Sequence, residues 1–185
     1  MMRELADNIL DIAQNSISAK ASLVEISITV SHERDLITFV FGDDGCGMSE
    51  EMVRTVAEPF TTTRKTRKVG LGLPLLKMTA LATGGAFDIR SELGKGTTVT
   101  VSFGLSNIDR PPMGDVAACW YTLVLMNPDT DFLFTYDYDG QSFAFDTRVI
   151  RETLAPVPIS SPEVSDWIKD CLYQEITQLH GGLFS

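Results

Sequence analysis

The sequence predicts an α/β protein in which helices alternate with short strand hairpins. Apolar residues recur at helical spacing between residues 4 and 19, which predicts an opening helix. Two pairs of strand-like segments, 24–30 with 36–41 and 86–92 with 97–103, each flank a short turn and predict two hairpins. Clusters of glycine separate these segments from further helical stretches.

The opening helix is apolar over most of its surface. With successive side chains about 100° apart, its polar residues share one narrow stripe: Glu4, Asn8, Asp11, Asn15 and Ser18. For a single helix, a solvent-facing side is the simpler interpretation of such a stripe. The alternative is a row of groups that face a ligand or a cation, and the rest of the chain decides between the two.

Two more helices are predicted between the hairpins. Ser49 is a favourable cap for a short helix. Gly70-Leu71-Gly72-Leu73 opens another helix that runs to about Ala82, and Gly84-Gly85 ends it.

Residues 105–185 predict a β/α extension after a domain of residues 1–104, joined to it by a linker at 105–112. The predicted extension elements are a strand at 117–126, a hairpin of 132–136 with 142–145 around Asp139-Gly140, one or two helical turns at 147–154, and a final helix from Ser161 to Leu179. The role of this extension is either regulatory or dimerising.

The charge of the chain is uneven and excludes some partners. The net charge is -10, and residues 105–185 carry 12 acidic and 4 basic residues. An acidic surface of this kind argues against nucleic acid and anionic membranes as partners. Three cysteines without metal-type spacing favour free thiols. The chain has no apolar run long enough to span a bilayer and no signal-type start, and we expect a cytoplasmic protein.

Four glycine- or amide-bearing elements follow in a fixed order: the asparagine-bearing helix, Asp43-Asp44-Gly45-Cys46-Gly47, Gly70-Leu71-Gly72-Leu73, and Gly94-Lys95-Gly96-Thr97. Each alone is a weak signal, because such turns are common. Together they resemble the ATP-binding catalytic domain of histidine kinases, within the superfamily shared with gyrase, Hsp90 and MutL. Glu58-Pro59-Phe60 matches the phenylalanine-bearing box of that family, and the resemblance covers roughly residues 3–103.

The resemblance implies a two-layer α/β sandwich, a mixed sheet with helices on one face, that binds ATP with Mg²⁺. Asp43 would accept a hydrogen bond from the adenine amino group. Gly45 and Gly47 would let the backbone pass close to the base. Asn15 would offer an amide oxygen to Mg²⁺, which takes most of its ligands from phosphates and water.

The same resemblance implies that the phosphates lie at Gly70-Leu71-Gly72-Leu73. Backbone N–H groups of Gly70, Leu71 and Gly72 would meet them at a helix N-terminus. The cationic residues before it form either a lid over the phosphates or a solvated loop: Arg64, Lys65, Arg67 and Lys68. Thr97 is expected to support the third glycine turn more than to touch the ligand.

Two residues of the opening helix could correspond to the family's asparagine, because an acid precedes both Asn8 and Asn15 by four residues. Asn15 fits the family better, since a small-residue segment and a strand follow it. Asp11 then sits where the gyrase and MutL branch has a water-activating glutamate. We expect Asp11 to organise water or Mg²⁺ and only weakly to act as a base, with Asn8 lining the inner pocket.

Two departures from the family matter. Neither His32 nor His180 lies in a phospho-accepting helical hairpin, which predicts a stand-alone domain. The family also has a strand before the first helix. We therefore expect a strand of the extension to cover that sheet edge, because an open edge promotes aggregation.

Two functions remain open from sequence. The first is a kinase that transfers the γ-phosphoryl group of Mg-ATP to a side chain of a partner protein. The second is a regulatory switch, like anti-sigma regulators, in which ATP orders the lid and so makes or breaks a partner or homodimer surface. The resemblance to histidine kinases favours the first.

Overall fold

Helices alternate with strands along the part of the chain that the structure describes. The structure is a computed structural model that describes residues 4–56 and 72–180. In chain order its elements are α1 (Asp7–Ser18), β1 (Leu23–Ser31), β2 (Leu36–Asp43), α2 (Glu50–Val56), α3 (Gly72–Ala82), β3 (Phe87–Glu92), β4 (Gly96–Gly104), α4 (Val116–Met126), β5 (Asp131–Tyr138), β6 (Gln141–Asp146), α5 (Thr147–Leu154) and α6 (Pro162–Leu179). None of the described helices combines the length and the apolar character needed to cross a bilayer.

The described strands form one mixed sheet in the order β3-β4-β2-β1-β5-β6. Side chains alternate between the two faces of a strand. The inward-pointing residues, such as Ile26, Phe39 and Phe134, join one apolar core with side chains from α1, α3, α4 and α6. This is the predicted mixed sheet with a helical layer.

The extension completes this sheet. β5 pairs in parallel with β1, from Leu23 opposite Asp131 to Val30 opposite Tyr138. The prediction that a strand from the extension covers the edge of β1 is therefore confirmed. The division of the chain at residue 104 into two domains stays a prediction.

The prediction of a strand at 117–126 is wrong, because these residues form helix α4. The segment is apolar on nearly every side, and periodicity does not distinguish a buried helix from a buried strand in such a run. The Asp115 side chain caps the helix by accepting from the Ala118 N–H at 2.8 Å. Trp120 is fully buried and stacks on Phe134 with ring centroids 4.7 Å apart.

The other elements predicted within the described residues form, with ends shifted by a few residues. The predicted linker at 105–112 is tied to the start of the chain. The Leu5 N–H donates to the Pro112 carbonyl at 2.9 Å, and the Ala6 N–H donates to the Met113 carbonyl at 2.8 Å. These bonds fix the entry into α1, which also packs against α4.

Replacing Phe134 by alanine should destabilise the whole chain, because this ring is fully buried between Trp120, Phe132 and Phe145. The expected loss of unfolding free energy is about 3 to 5 kcal/mol. Urea unfolding followed by tryptophan fluorescence and by circular dichroism should give one coincident transition. Leu93→Ala, at a position 66% exposed, is the control and should change stability little. Two separate transitions would show that the extension folds independently of residues 4–104.

Candidate functional site

A cavity of about 450 Å³ opens between α1, the end of β2, α2 and the start of α3. Its volume lies in the range of small-molecule sites. Among the residues that line it are six of the predicted site residues: Asp11, Asn15, Asp43, Gly47, Gly72 and Thr97. Asp11 and Thr97, which are 86 positions apart in the sequence, thus face one space.

Asp43 is held as a hydrogen-bond acceptor at the cavity wall. The Ser16 hydroxyl donates to its Oδ2 at 2.7 Å, and the Gly45 N–H donates to its Oδ1 at 2.9 Å. Gly45 is buried, and a Cβ there would lie 2.9 Å from the Asp43 carboxylate and from the Ala19 Cβ. The carboxylate is therefore fixed in direction, and its remaining lone pairs can read a donor in the cavity.

The loop after Asp43 is clamped to the turn between β3 and β4. The Met48 N–H donates to the Ser91 Oγ at 2.8 Å, and Ser91 Oγ in turn donates to the Gly96 carbonyl at 2.8 Å. Gly47 has φ +63°, and a Cβ there would lie 1.9 Å from the Glu92 carbonyl oxygen. Only glycine fits such an approach, so the loop and the turn form one rigid wall.

Thr97 contributes to the same wall. Its Oγ1 lies 2.8 Å from the Ser91 Oγ, and the residue also lines the cavity. Thr97 therefore supports the turn, as expected from the sequence, while remaining within reach of a bound molecule.

Asp44, next to Asp43, secures the other side of the loop. Its carboxylate accepts from the Ser22 N–H at 2.8 Å, from the Leu23 N–H at 2.9 Å and from the Ser22 hydroxyl. Burial acts to raise the pKa of Asp44, but these hydrogen bonds outweigh it and lower that pKa. The ionised side chain thus joins the loop to the start of β1.

Asp11 and Asn15 lie one helical turn apart on α1, exposed and facing the cavity. Neither side chain has a hydrogen-bond partner within residues 4–56 and 72–180. Gly72, the first residue of α3, adjoins Asp11: a Cβ on Gly72 would lie 3.4 Å from the Asp11 Oδ2. Two oxygen-bearing side chains and a helix N-terminus therefore meet at one end of the cavity.

Asn8 occupies a different position. It is buried, and its Nδ2 donates to the Leu5 carbonyl at 3.0 Å. Asn8 does not line the cavity formed by the described residues. Its role in an inner pocket stays a prediction.

Apolar side chains form the remaining wall. They come from α1, the loop before α2, α2, α3 and the strands: Ile12, Phe41, Met48, Met52, Val56, Leu73, Ile89 and Val99. Such a surface suits the faces of a planar aromatic base, beside the acceptor at Asp43. The sequence did not single out these residues, because in a periodic pattern they are indistinguishable from core residues.

Several predicted residues lie outside the part of the chain that the structure describes. These are Glu58, Pro59, Phe60, Arg64, Lys65, Arg67, Lys68, Gly70 and Leu71. Ser16 and Ser91 were missed, because a single serine carries no motif. Their partners, Asp43 and Met48, are 27 and 43 residues distant in the chain.

The described residues fit an adenine nucleotide with Mg²⁺. The cavity combines an apolar wall, a fixed acceptor at Asp43 and, beside the start of α3, the oxygens of Asp11 and Asn15. Within the described ranges no three His, Cys, Asp or Glu side chains cluster as a metal site. A cation beside Asn15 would therefore take most of its ligands from phosphates and water, as Mg²⁺ commonly does.

Comparison with known proteins agrees with this geometry. The family model for the "Histidine kinase-, DNA gyrase B-, and HSP90-like ATPase" matches residues 1–107. Sporulation kinase D of Bacillus subtilis is 34% identical over 100 residues, which are 53% of this chain and 19% of that protein. A putative sensor protein of Shewanella frigidimarina is 29% identical over 109 residues, 58% of this chain and 16% of that protein. The chain thus spans less than a fifth of the length of these relatives.

A solved structure extends the likeness of fold beyond the family match. The ATPase domain of MutL from Aquifex aeolicus, complexed with ADP, superposes with a TM-score of 0.52 at 18% identity. The superposition covers 98% of this chain and 70% of that one. At this identity the likeness shows the fold alone.

The three thiols should be alkylated at different rates, and the rate at Cys46 should show whether the cavity is occupied. Cys46 is exposed and lines the cavity, whereas Cys119 and Cys171 are partly buried. Burial, with the carboxylates of Asp115, Asp7 and Glu4, raises the pKa of Cys119 to about 11. Burial also raises the pKa of Cys171. Because the thiolate is the nucleophile, iodoacetamide at pH 8 should modify Cys46 first.

Adding ADP with Mg²⁺ should slow the modification of Cys46 and leave the slower thiols unchanged. Peptide mass mapping over a time course measures each rate. Unchanged labelling of Cys46 at saturating ADP, or equal protection of all three thiols, would contradict the placement of the nucleotide.

Proposed function

The chain belongs to the histidine kinase-, DNA gyrase B- and HSP90-like ATPase family, and we propose that it binds Mg-ATP and transfers the γ-phosphoryl group to a partner protein. Nucleotide binding follows from the family. The transfer to a partner, the part played by Mg²⁺ and a role in signal transduction are our proposal. The single observation that carries it is that Asp43, Asn15 and Gly72, the first residue of α3, all line one cavity.

Adenine recognition is assigned to Asp43. Its carboxylate is held by Ser16 and Gly45 and keeps lone pairs for the 6-amino group of the base. A ring that presents a carbonyl at that position, as guanine does, would meet a second acceptor and be rejected. Ile12, Met48 and Val99 exclude water from the faces of the base.

The phosphates are assigned to the end of the cavity where α1 meets α3. Gly72 begins an eleven-residue helix, and a helix N-terminus stabilises anionic groups. The Asn15 amide would hold Mg²⁺, which would neutralise charge on the transferring group. Asp11 would orient a water or a Mg²⁺ ligand through hydrogen bonds. A lid over the phosphates is assigned to four cationic residues, Arg64, Lys65, Arg67 and Lys68.

The acceptor is proposed to lie on another protein. The relatives that this chain matches include a sporulation kinase and a sensor protein, and both are much longer than the matched region. Positioning and electrostatics supply most of the catalysis in phosphoryl transfer. A partner that places a nucleophilic side chain at the mouth of the cavity would then suffice.

Incubation with γ-labelled ATP and fractionated partner proteins tests the transfer. We expect label to leave ATP, to appear on one partner, and to disappear with Asn15→Ala. Binding of the partner that requires ATP but leaves no label would instead identify a nucleotide-gated switch and would contradict the kinase.

Two substitutions test the site itself. Asn15→Ala should abolish the gain in ATP affinity that Mg²⁺ provides, because the amide ligand is lost. Asp43→Asn should weaken ATP and ADP binding by about tenfold to a hundredfold, because a charge-assisted hydrogen bond is lost. Isothermal titration with and without Mg²⁺ measures both effects.

The matched control is Asp88→Asn, an exposed carboxylate on β3 that does not line the cavity. This variant should bind ATP as the wild type does. Wild-type affinity in both Asn15→Ala and Asp43→Asn would overturn the site assignment.

A further inference from the structure

Helix α6 carries a second surface, outside the region that matches the family model. The buried side of α6 includes Ile168, Leu172 and Ile176, which join the common core. On this side the Ser165 hydroxyl also lies 2.9 Å from the Tyr121 hydroxyl of α4. The opposite side of the helix therefore faces solvent along its whole length.

That solvent side combines one tryptophan with three carboxylates. Glu163, Asp166, Trp167 and Asp170 are all exposed. Their spacing of three, four and seven residues places them on one side of the helix. The exposed Lys169 is two residues from Trp167 and three residues from Asp166, so it borders this side of the helix at one edge and leaves the acids in excess. We call Glu163, Asp166, Trp167 and Asp170 the acidic tryptophan face.

The exposure of Trp167 distinguishes it from the other tryptophan of the chain. Trp167 is 52% exposed, whereas Trp120 is fully buried. Large aromatic side chains usually contribute their surface to a core or an interface. Trp167 is not among the side chains that form or pack against the core of the described residues, and about half of its surface is open to a partner.

The carboxylates of this face have no structural partner within the described ranges. Elsewhere in the extension, acids do have partners: Asp131 pairs with Arg151, Asp146 pairs with Arg148, and Asp115 caps α4. No ion pair within residues 4–56 and 72–180 involves the acidic tryptophan face. Its like charges at spacings of three and four residues repel one another and weaken the helix. A cationic partner would reverse that cost.

We propose that the acidic tryptophan face docks a basic segment of a partner protein. An arginine or lysine of that segment would stack on the Trp167 ring, since cations bind the faces of aromatic rings. Further basic side chains would pair with Asp166 and Asp170. Tryptophan is also among the residues that contribute most to binding at interfaces.

Charge complementarity selects this occupant over two others. Nucleic acids and anionic lipid surfaces would be repelled by three carboxylates. A second copy of the chain, related by a two-fold axis through this face, would place the same carboxylates against one another. The surface does not line the nucleotide cavity, so its role is independent of whether the chain transfers phosphate.

A defined probe tests this proposal on the full chain. The probe is an amphipathic helical peptide with arginine and lysine on one side, and its counterpart has glutamine at each basic position. Nitrogen-15 NMR titration should show shifts centred on residues 163–174 with the basic peptide and none with the glutamine peptide. Trp167→Ala and the double variant Asp166→Asn with Asp170→Asn should each weaken binding at least about fivefold.

Two controls separate a docking face from general charge attraction. Glu152→Gln removes an exposed acid on α5 and should leave the affinity for the basic peptide within about twofold. Trp167→Phe should retain part of the affinity that Trp167→Ala loses. All substituted positions are exposed, so melting temperatures should stay within about 2 °C of the wild-type value, including the small gain from removing like charges.

Three results would overturn the proposal. One is an equal loss of affinity in Glu152→Gln and in the double variant, which would show attraction to net charge alone. Another is shifts spread over the whole acidic surface, or none at all. The third is a wild-type dimer that Trp167→Ala converts into a monomer, which would assign the face to self-association.

Discussion

The hydrogen bond from Ser16 to Asp43 joins the opening helix to the end of a central strand, and the shape of the cavity depends on it. Ser16 is buried and follows Asn15 directly. One turn of α1 therefore fixes the acceptor at Asp43 and also presents the Asn15 amide to the same cavity. A shift of α1 along the sheet would move Asn15 and break the bond between Ser16 and Asp43, so apolar packing of this helix also fixes the geometry of the site.

That packing is supplied by both halves of the chain. Residues 5 and 6 are bonded to the segment before α4, and α4 itself lies against α1 and α6. β5 pairs with β1 along its whole length. The extension is therefore part of the framework that holds the candidate nucleotide cavity. The helix that carries the cavity residues and the helix that carries the acidic tryptophan face share α4 as a neighbour.

Much of this fold follows from the sequence, because the elements that were predicted correctly have a clear period or a strong turn. The hairpins around residues 31–35 and Asp139-Gly140 are of this kind. α4 was mistaken for a strand because Val116–Met126 is apolar on nearly all sides, and the helix depends on the Asp115 cap together with contacts to α1, β5 and α6. Long-range packing of this sort is not encoded in a local pattern.

In the candidate site, too, the sequence revealed the residues that belong to local motifs and missed those that depend on long-range contacts. Asp43, Gly47 and Asn15 could be named from the sequence because each belongs to a motif with fixed neighbours; all three line the cavity, and their part in binding stays a prediction. Ser16 and Ser91 were not, since a serine becomes informative only when its distant partner is known.

The most direct test is a crystal structure of the full chain with a non-hydrolysable ATP analogue and Mg²⁺. We expect the adenine amino group within hydrogen-bond distance of the Asp43 carboxylate and the cation beside the Asn15 amide. A nucleotide bound elsewhere, or bound here with its base away from Asp43, would contradict the account.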